Sequence, residues 1–250
     1  MTALTGFLIA AIIGMTGIGG GTLTAPVLLL FLGVPAPVAV GTSLVFISIV
    51  KVFAAPVFAV RRQVDYRVLG LLLAGGLPGA VLGALFLGRL QSSGSNGVLL
   101  VVLGVTIAIS AIANLIRREA PRGEKADKSR RLPLASFPIG LEVGFSSAGA
   151  GALGTLALLH WTRLKASEVV GTDLLFGLAL AIAGGSIHAA RGAIDAEILQ
   201  QLALGGVPGA ILGSWLATIL PSRHLRRGLA VWLVYLGGQL FYRGLGSLAK

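Results

Sequence analysis

Apolar runs of near-uniform length, each closed by a short polar or basic stretch, recur along this chain at 38–60, 68–88, 97–116, 168–190, 198–220 and 228–246. Each approaches the roughly 20 residues that a helix needs to cross the hydrocarbon of a bilayer. The pattern predicts six spanning helices. Two further apolar regions, 3–33 and 134–160, are too long for one plain helix and are interrupted midway by small residues. The first reads as helix, then Gly14-Met-Thr-Gly17-Ile-Gly19-Gly20-Gly21, then helix again from Thr22. Each glycine costs about 1 kcal/mol relative to alanine in a helix, so a break is expected there. The matching stretch is Gly144-Phe-Ser146-Ser147-Ala148-Gly149-Ala150-Gly151.

Lipid does not tolerate bare backbone groups, so such breaks must be buried in protein or line a polar cavity. Free N–H groups and the positive dipole end at the start of the second half-helix together favour an anion. The alternative is that these glycines only let helices pack closely.

Shifted by 130 positions, the sequence overlays itself without a gap. Gly14 meets Gly144, Val40-Gly41-Thr42 meets Val170-Gly171-Thr172, and Gly75-Gly76-Leu77-Pro78-Gly79-Ala80 meets Gly205-Gly206-Val207-Pro208-Gly209-Ala210. Phe46 falls on Phe176, Arg61 on Arg191, Asp65 on Asp195 and Gly83 on Gly213. The chain therefore divides into a first membrane repeat (1–117), a charged linker (118–133) and a second membrane repeat (134–250). A duplicated apolar chain of this kind reads as a transporter whose site lies where the halves meet.

Charge sets the orientation. Arg61, Arg62 and Arg67, the linker cluster from Arg117 to Arg131, Arg163, Lys165, Arg223, Arg226 and Arg227 fall on one side if region 134–160 dips in and returns. Arg89, Arg191, Arg243 and Lys250 then fall on the other. The denser side is expected to be cytoplasmic. A full crossing by 134–160 separates the charges less well. With the re-entrant arrangement each half has an odd number of spans, and the repeats are inverted across the membrane. The fold class expected is an all-α integral membrane protein of two inverted repeats, each a broken helix pair plus three spanning helices.

Composition narrows the class further. Hydrophobic residues make up 55% of the chain and charged residues 12%, against about 25% charged in soluble domains. The net charge of +11 sits at helix ends without interleaved aromatics, so nucleic acid is not expected as a partner. Absence of cysteine excludes disulfides, thiolate metal sites and cysteine nucleophiles. No cofactor, metal site or catalytic residue is expected, and the first apolar run lacks the basic start of a removable leader. The bilayer and a small anion are the expected partners, and the sequence leaves a homo-oligomer open.

Lys51 lies about ten residues from the Arg61 end of its span, which places it roughly 15 Å deep. A lysine at mid-membrane suits an anion, or pairs with Asp173 for stability. Its repeat mate is Ala181. Asp173, which replaces Ser43 in the repeat, is the candidate for proton coupling, since a carboxylate beside an anion repels it unless protonated. The candidate substrate-binding set is Gly17, Gly19, Gly20, Gly21, Thr22, Thr42, Ser43, Lys51, Ser146, Ser147, Gly149, Gly151 and Thr172. The hydroxyls among them can equally bond their own backbone. Glu142, His160 and His188 are weaker candidates, read as interfacial or internally satisfied. Ser146 with a distant His188 raises an intramembrane hydrolase, without an orienting acid or an oxyanion signature. An anion channel with half-helix dipoles is a further alternative.

With the first glycine break, Val40-Gly41-Thr42-Ser43, the Val64-Asp65-Tyr66 turn and the repeated Gly-Gly-x-Pro-Gly-Ala, the chain resembles the TauE/SafE family of transmembrane sulfite exporters. The family's Gly-x-Gly-Gly-Gly stands here as Gly17 to Gly21, and in the second half as Ser147-Ala148-Gly149-Ala150-Gly151. The resemblance implies a secondary carrier in a bacterial or archaeal inner membrane. It implies sulfite, thiosulfate or small sulfonates as substrates, with coupling to protons.

Overall fold

The structure, a computed structural model, describes residues 2–16, 21–92, 96–116, 128–148, 151–216 and 223–248. Every regular element among the described residues is a helix. The first half holds α1 (Thr2–Thr16), α2 (Gly21–Leu30), α3 (Ala36–Val60), α4 (Tyr66–Ser92) and α5 (Asn96–Ile116). After a single 3₁₀ turn at Ser129–Arg131 the second half holds α6 (Leu132–Ser146), α7 (Leu153–Trp161), α8 (Ala166–Ala190), α9 (Ala196–Leu216) and α10 (Arg223–Leu248). The two sets of five match under the 130-residue shift.

Three helices are long and apolar enough to cross a membrane by length and composition, within Ala36–Phe53, Tyr66–Gln91 and Ser167–Ala190. Helices α5, α9 and α10, of 21, 21 and 26 residues, occupy the other three predicted spans. Large apolar side chains face outward, with Val60 83% and Leu134 82% exposed. In water such a surface would aggregate, whereas in lipid it is the expected one. The protein is an all-α, multi-pass membrane protein.

The helices flanking both predicted breaks run further than the sequence predicts. Helix α1 runs through Gly14 to Thr16 and α2 resumes at Gly21, not Thr22. Helix α6 likewise runs through Gly144 to Ser146. Away from water a freed backbone group has no solvent to turn to, so the single glycines Gly14 and Gly144 stay helical.

Helix packing is reciprocal between the halves. Helix α1 lies on α9 and α6 lies on α4, while α3 faces α8 and α5 faces α10. The first two pairs are stitched by glycines. A Cβ on Gly75, Gly79 or Gly83 would strike the carbonyls of Pro133, Phe137 or Leu141, and one on Gly205, Gly209 or Gly213 those of Ala3, Phe7 or Ala11. These stripes, spaced four residues apart, bring two backbones into direct contact, which supplies the dispersion that hydrophobicity cannot supply in lipid. The repeated Gly-Gly-x-Pro-Gly-Ala is thus a packing device. Its second glycine also makes room for a buried ring: Phe176 lies on Gly76, and Phe46 on Gly206.

Candidate functional site

The halves meet where α3 crosses α8. Gly41 faces His188, Leu44 faces Gly184, Val45 faces Gly185 and Phe58 faces Gly171, an antiparallel register. Midway between these contacts Lys51 stands within a turn of the crossing's centre, partly buried. Asp173 on α8, 7% exposed, lies within electrostatic reach of it.

The Asp173 carboxyl is seated on the first turn of α7. Gly154 leaves the space, since a Cβ there would meet Asp173 Oδ1. Thr155 Oγ1 lies 2.9 Å from Asp173 Oδ2 and 3.0 Å from the Gly151 carbonyl. Helix α7 has no side-chain cap of its own at Ala152. A carboxylate against its N-terminal end is favoured by the dipole. Lys51, Asp173, Thr155 and Gly151 therefore form one constellation joining α3, α8 and the second break.

The remaining predicted residues divide by what they touch. Thr42 and Thr172 are fully buried, and their hydroxyls accept the backbone N–H groups of Asp195 and Asp65, each at 3.0 Å. Each threonine thus fixes the turn of the opposite half, and the two stand at opposite ends of the crossing rather than beside Lys51. Those turns in turn start α4 and α9, where Asp65 Oδ1 accepts from Val68 N–H and Asp195 Oδ1 from Ile198 N–H, both at 2.9 Å. The Ser146 hydroxyl donates to the Glu142 carbonyl at 2.9 Å and accepts from Ala148 N–H at 3.2 Å, closing the end of α6.

Ser147, at φ 63°, ends α6 in the left-handed region, a conformation that costs a non-glycine residue roughly 1 kcal/mol. Its N–H bonds the Val143 carbonyl at 2.8 Å. The hydroxyls of Ser147 and Ser43 are buried and hydrogen-bond to none of the described residues. Thr22 is buried in the first turn of α2, which opens at Gly21, and Gly151 is buried in the turn before α7. Gly17, Gly19, Gly20 and Gly149, with most of the linker, lie outside the described residues.

His188 is 1% exposed, and its Nε2 lies 3.0 Å from the Gly144 carbonyl, one of those left over at the end of α6. Ser146 and His188 are each committed to backbone rather than to each other. His160 is exposed and stacks edgewise on Trp161. Glu142 is buried and accepts a hydrogen bond from Ser110.

Thr155 and Gly154 are absent from the predicted set. The repeat held the signal: where Ser43 becomes Asp173, Ala25 becomes Thr155 and Thr24 becomes Gly154. The three positions differ together between the repeats, and in the second half they touch. Ser43 has alanine where Asp173 has a hydroxyl partner.

The family model for Sulfite exporter TauE/SafE matches residues 2–240. The chain is 30% identical over 234 residues to a probable membrane transporter protein, YjnA, of Bacillus subtilis, covering 89% of this chain and 92% of that one. It is also 30% identical over 236 residues to a probable membrane transporter protein of Xylella fastidiosa, with 90% and 87% covered. A second Bacillus subtilis relative, the probable membrane transporter protein YdhB, is 25% identical over 229 residues, with 89% and 92% covered. No solved structure matches the chain. A near-complete match, on a helical membrane fold, makes this chain a membrane transporter of the TauE/SafE sulfite exporter family.

Proposed function

We propose that the protein is a secondary carrier for a small sulfur oxyanion, sulfite or thiosulfate, or a small sulfonate, working by alternating access between two inverted repeats. The observation that bears most weight is Lys51 at the centre of the α3–α8 crossing with Asp173 in reach. A cation at mid-membrane needs an anion, and a carboxylate that can be neutralised lets a substrate take its place. The equivalent helices α3 and α8 run antiparallel, as do α5 and α10, where Gly97 lies on Leu248 and Gly104 on Phe241. That run supports inversion.

Asp173 couples the proton. Ionised, it accepts from Thr155 and offsets Lys51. Protonated, it donates to Thr155, whose own proton turns to the Gly151 carbonyl, and the Lys51 charge is released to the substrate. Proton and anion therefore bind together, and affinity rises as pH falls. The family's description and the relatives' printed transporter names support the carrier class, and the direction of export is taken from the family alone.

Thiosulfate binding to the purified protein tests the site. A ligand that binds only the folded state raises the unfolding temperature by mass action. Lys51→Met is expected to remove the thiosulfate-dependent rise, and Lys51→Arg to keep part of it, because charge is retained and geometry changes. An undiminished rise in the Met variant would show that Lys51 does not hold the anion.

A further inference from the structure

We propose that Glu142 on α6 and Ser110 on α5 form a proton-binding site inside the membrane, separate from Asp173 and linked by hydrogen bonds to the left-handed end of α6 at Ser147.

Glu142 is 8% exposed and Ser110 0%. The Ser110 hydroxyl bonds Glu142 Oε1, and it is the side-chain partner of this carboxyl among the described residues. Around the pair the packing is apolar: Ile107, one turn before Ser110, clusters with Ala148 and Leu240 against Leu29 and Leu30. Among the described residues no cation faces the carboxyl. Helices α2 and α5 bear no ionisable side chain among the described residues. On α7 there is only His160, exposed near its far end. On α8, Asp173 is bonded to Thr155 and His188 to the Gly144 carbonyl, with Glu168 at its start on the Lys165 N–H. Tyr66, Arg67 and Arg89 lie towards the ends of α4, and Arg130 and Arg131 are exposed on the 3₁₀ turn. An ionised carboxylate in such surroundings is costly, whereas a neutral acid that exchanges hydrogen bonds with a hydroxyl is not.

The duplication supplies an internal control. The positions matching Glu142 and Ser110 are Ile12 and Leu240. At the equivalent places the other half uses two hydrocarbon side chains, so the fold does not call for a polar pair here. The pair is also connected to the end of α6. The Glu142 carbonyl accepts from Ser146, whose hydroxyl accepts from Ala148 N–H, and Ser147 follows in its left-handed conformation. Water reaching the carboxyl releases its proton, and exclusion of water requires the proton back. No bond other than O–H is made or broken, and the proton passes between water and the carboxyl oxygen.

The transport role rests on the carrier reading above, while proton occupancy of Glu142 does not. Infrared difference spectra of the lipid-reconstituted protein, recorded across a pH titration, read occupancy directly. A protonated-carboxyl band is expected in the wild type, lost in Glu142→Gln, shifted in frequency in Ser110→Ala and retained in Asp173→Asn. A band unchanged in Glu142→Gln and unshifted in Ser110→Ala would overturn the site. Because glutamine reproduces the neutral acid's shape, Glu142→Gln should also lower proton-gradient-driven thiosulfate uptake relative to thiosulfate counterflow in the same vesicles. An unchanged ratio would sever the site from transport. Absence of thiosulfate counterflow in the wild type would instead overturn the substrate reading and leave the infrared result standing.

Discussion

Single side chains in this protein do one of two things, and their neighbours decide which. Thr42 and Thr172 were legible as buried hydroxyls near a suspected site, yet each is spent on an N–H of the opposite half. Thr42→Val and Thr172→Val are each expected to cost about 1 kcal/mol of stability by stranding that donor. The two losses should be nearly equal and additive, because the threonines stand at opposite ends of the crossing. Unfolding of the single and double variants in detergent measures this, and a Val variant as stable as the wild type would show that the bond contributes nothing. Lys51 and Asp173 were legible for another reason. An ionisable residue deep in an apolar run is conspicuous from composition alone, whereas a hydroxyl's partner depends on a contact more than a hundred residues away.

At the scale of elements, hydrophobic length located the long helices, because the bilayer imposes one length on every spanning segment. α3, α4, α5, α8, α9 and α10 fall on the predicted runs to within a few residues at most ends. The half-helices were harder. Glycine content marked the second break, while the first lies outside the described residues; glycines also line the α4–α6 and α1–α9 contacts, and the sequence does not separate the two uses. Gly144 belongs to the packing set, lying on the Ala80 carbonyl inside an intact helix. The second break is defined instead by Ser147 in its left-handed conformation and by the uncapped start of α7. The pairing of α7 with Asp173 is a contact between helices that hydrophobic length does not reveal, although the joint exchange of Ala25 for Thr155 and Ser43 for Asp173 between the repeats accompanies it.

For the whole molecule, the duplication visible in the sequence becomes a bundle in which neither half packs by itself, since α1 needs α9 and α6 needs α4. The turn 63–65 meets the start of α8, and Lys128 N–H bonds the Trp161 carbonyl, so Arg61, Arg62, Arg67, Lys128, Arg163 and Lys165 gather at one end of the bundle. Single cysteines at Lys125 and Lys250 should label from opposite sides of the membrane, with Lys125 cytoplasmic. Labelling of both from the cytoplasm would contradict the inverted arrangement. The carrier claim itself is tested most directly by counterflow in proteoliposomes loaded with unlabelled thiosulfate and supplied outside with a labelled trace. The account predicts transient accumulation of label, faster at lower pH and lost in Lys51→Met. Thiosulfate-dependent current without accumulation would make the protein a channel, and no movement of label would contradict the account.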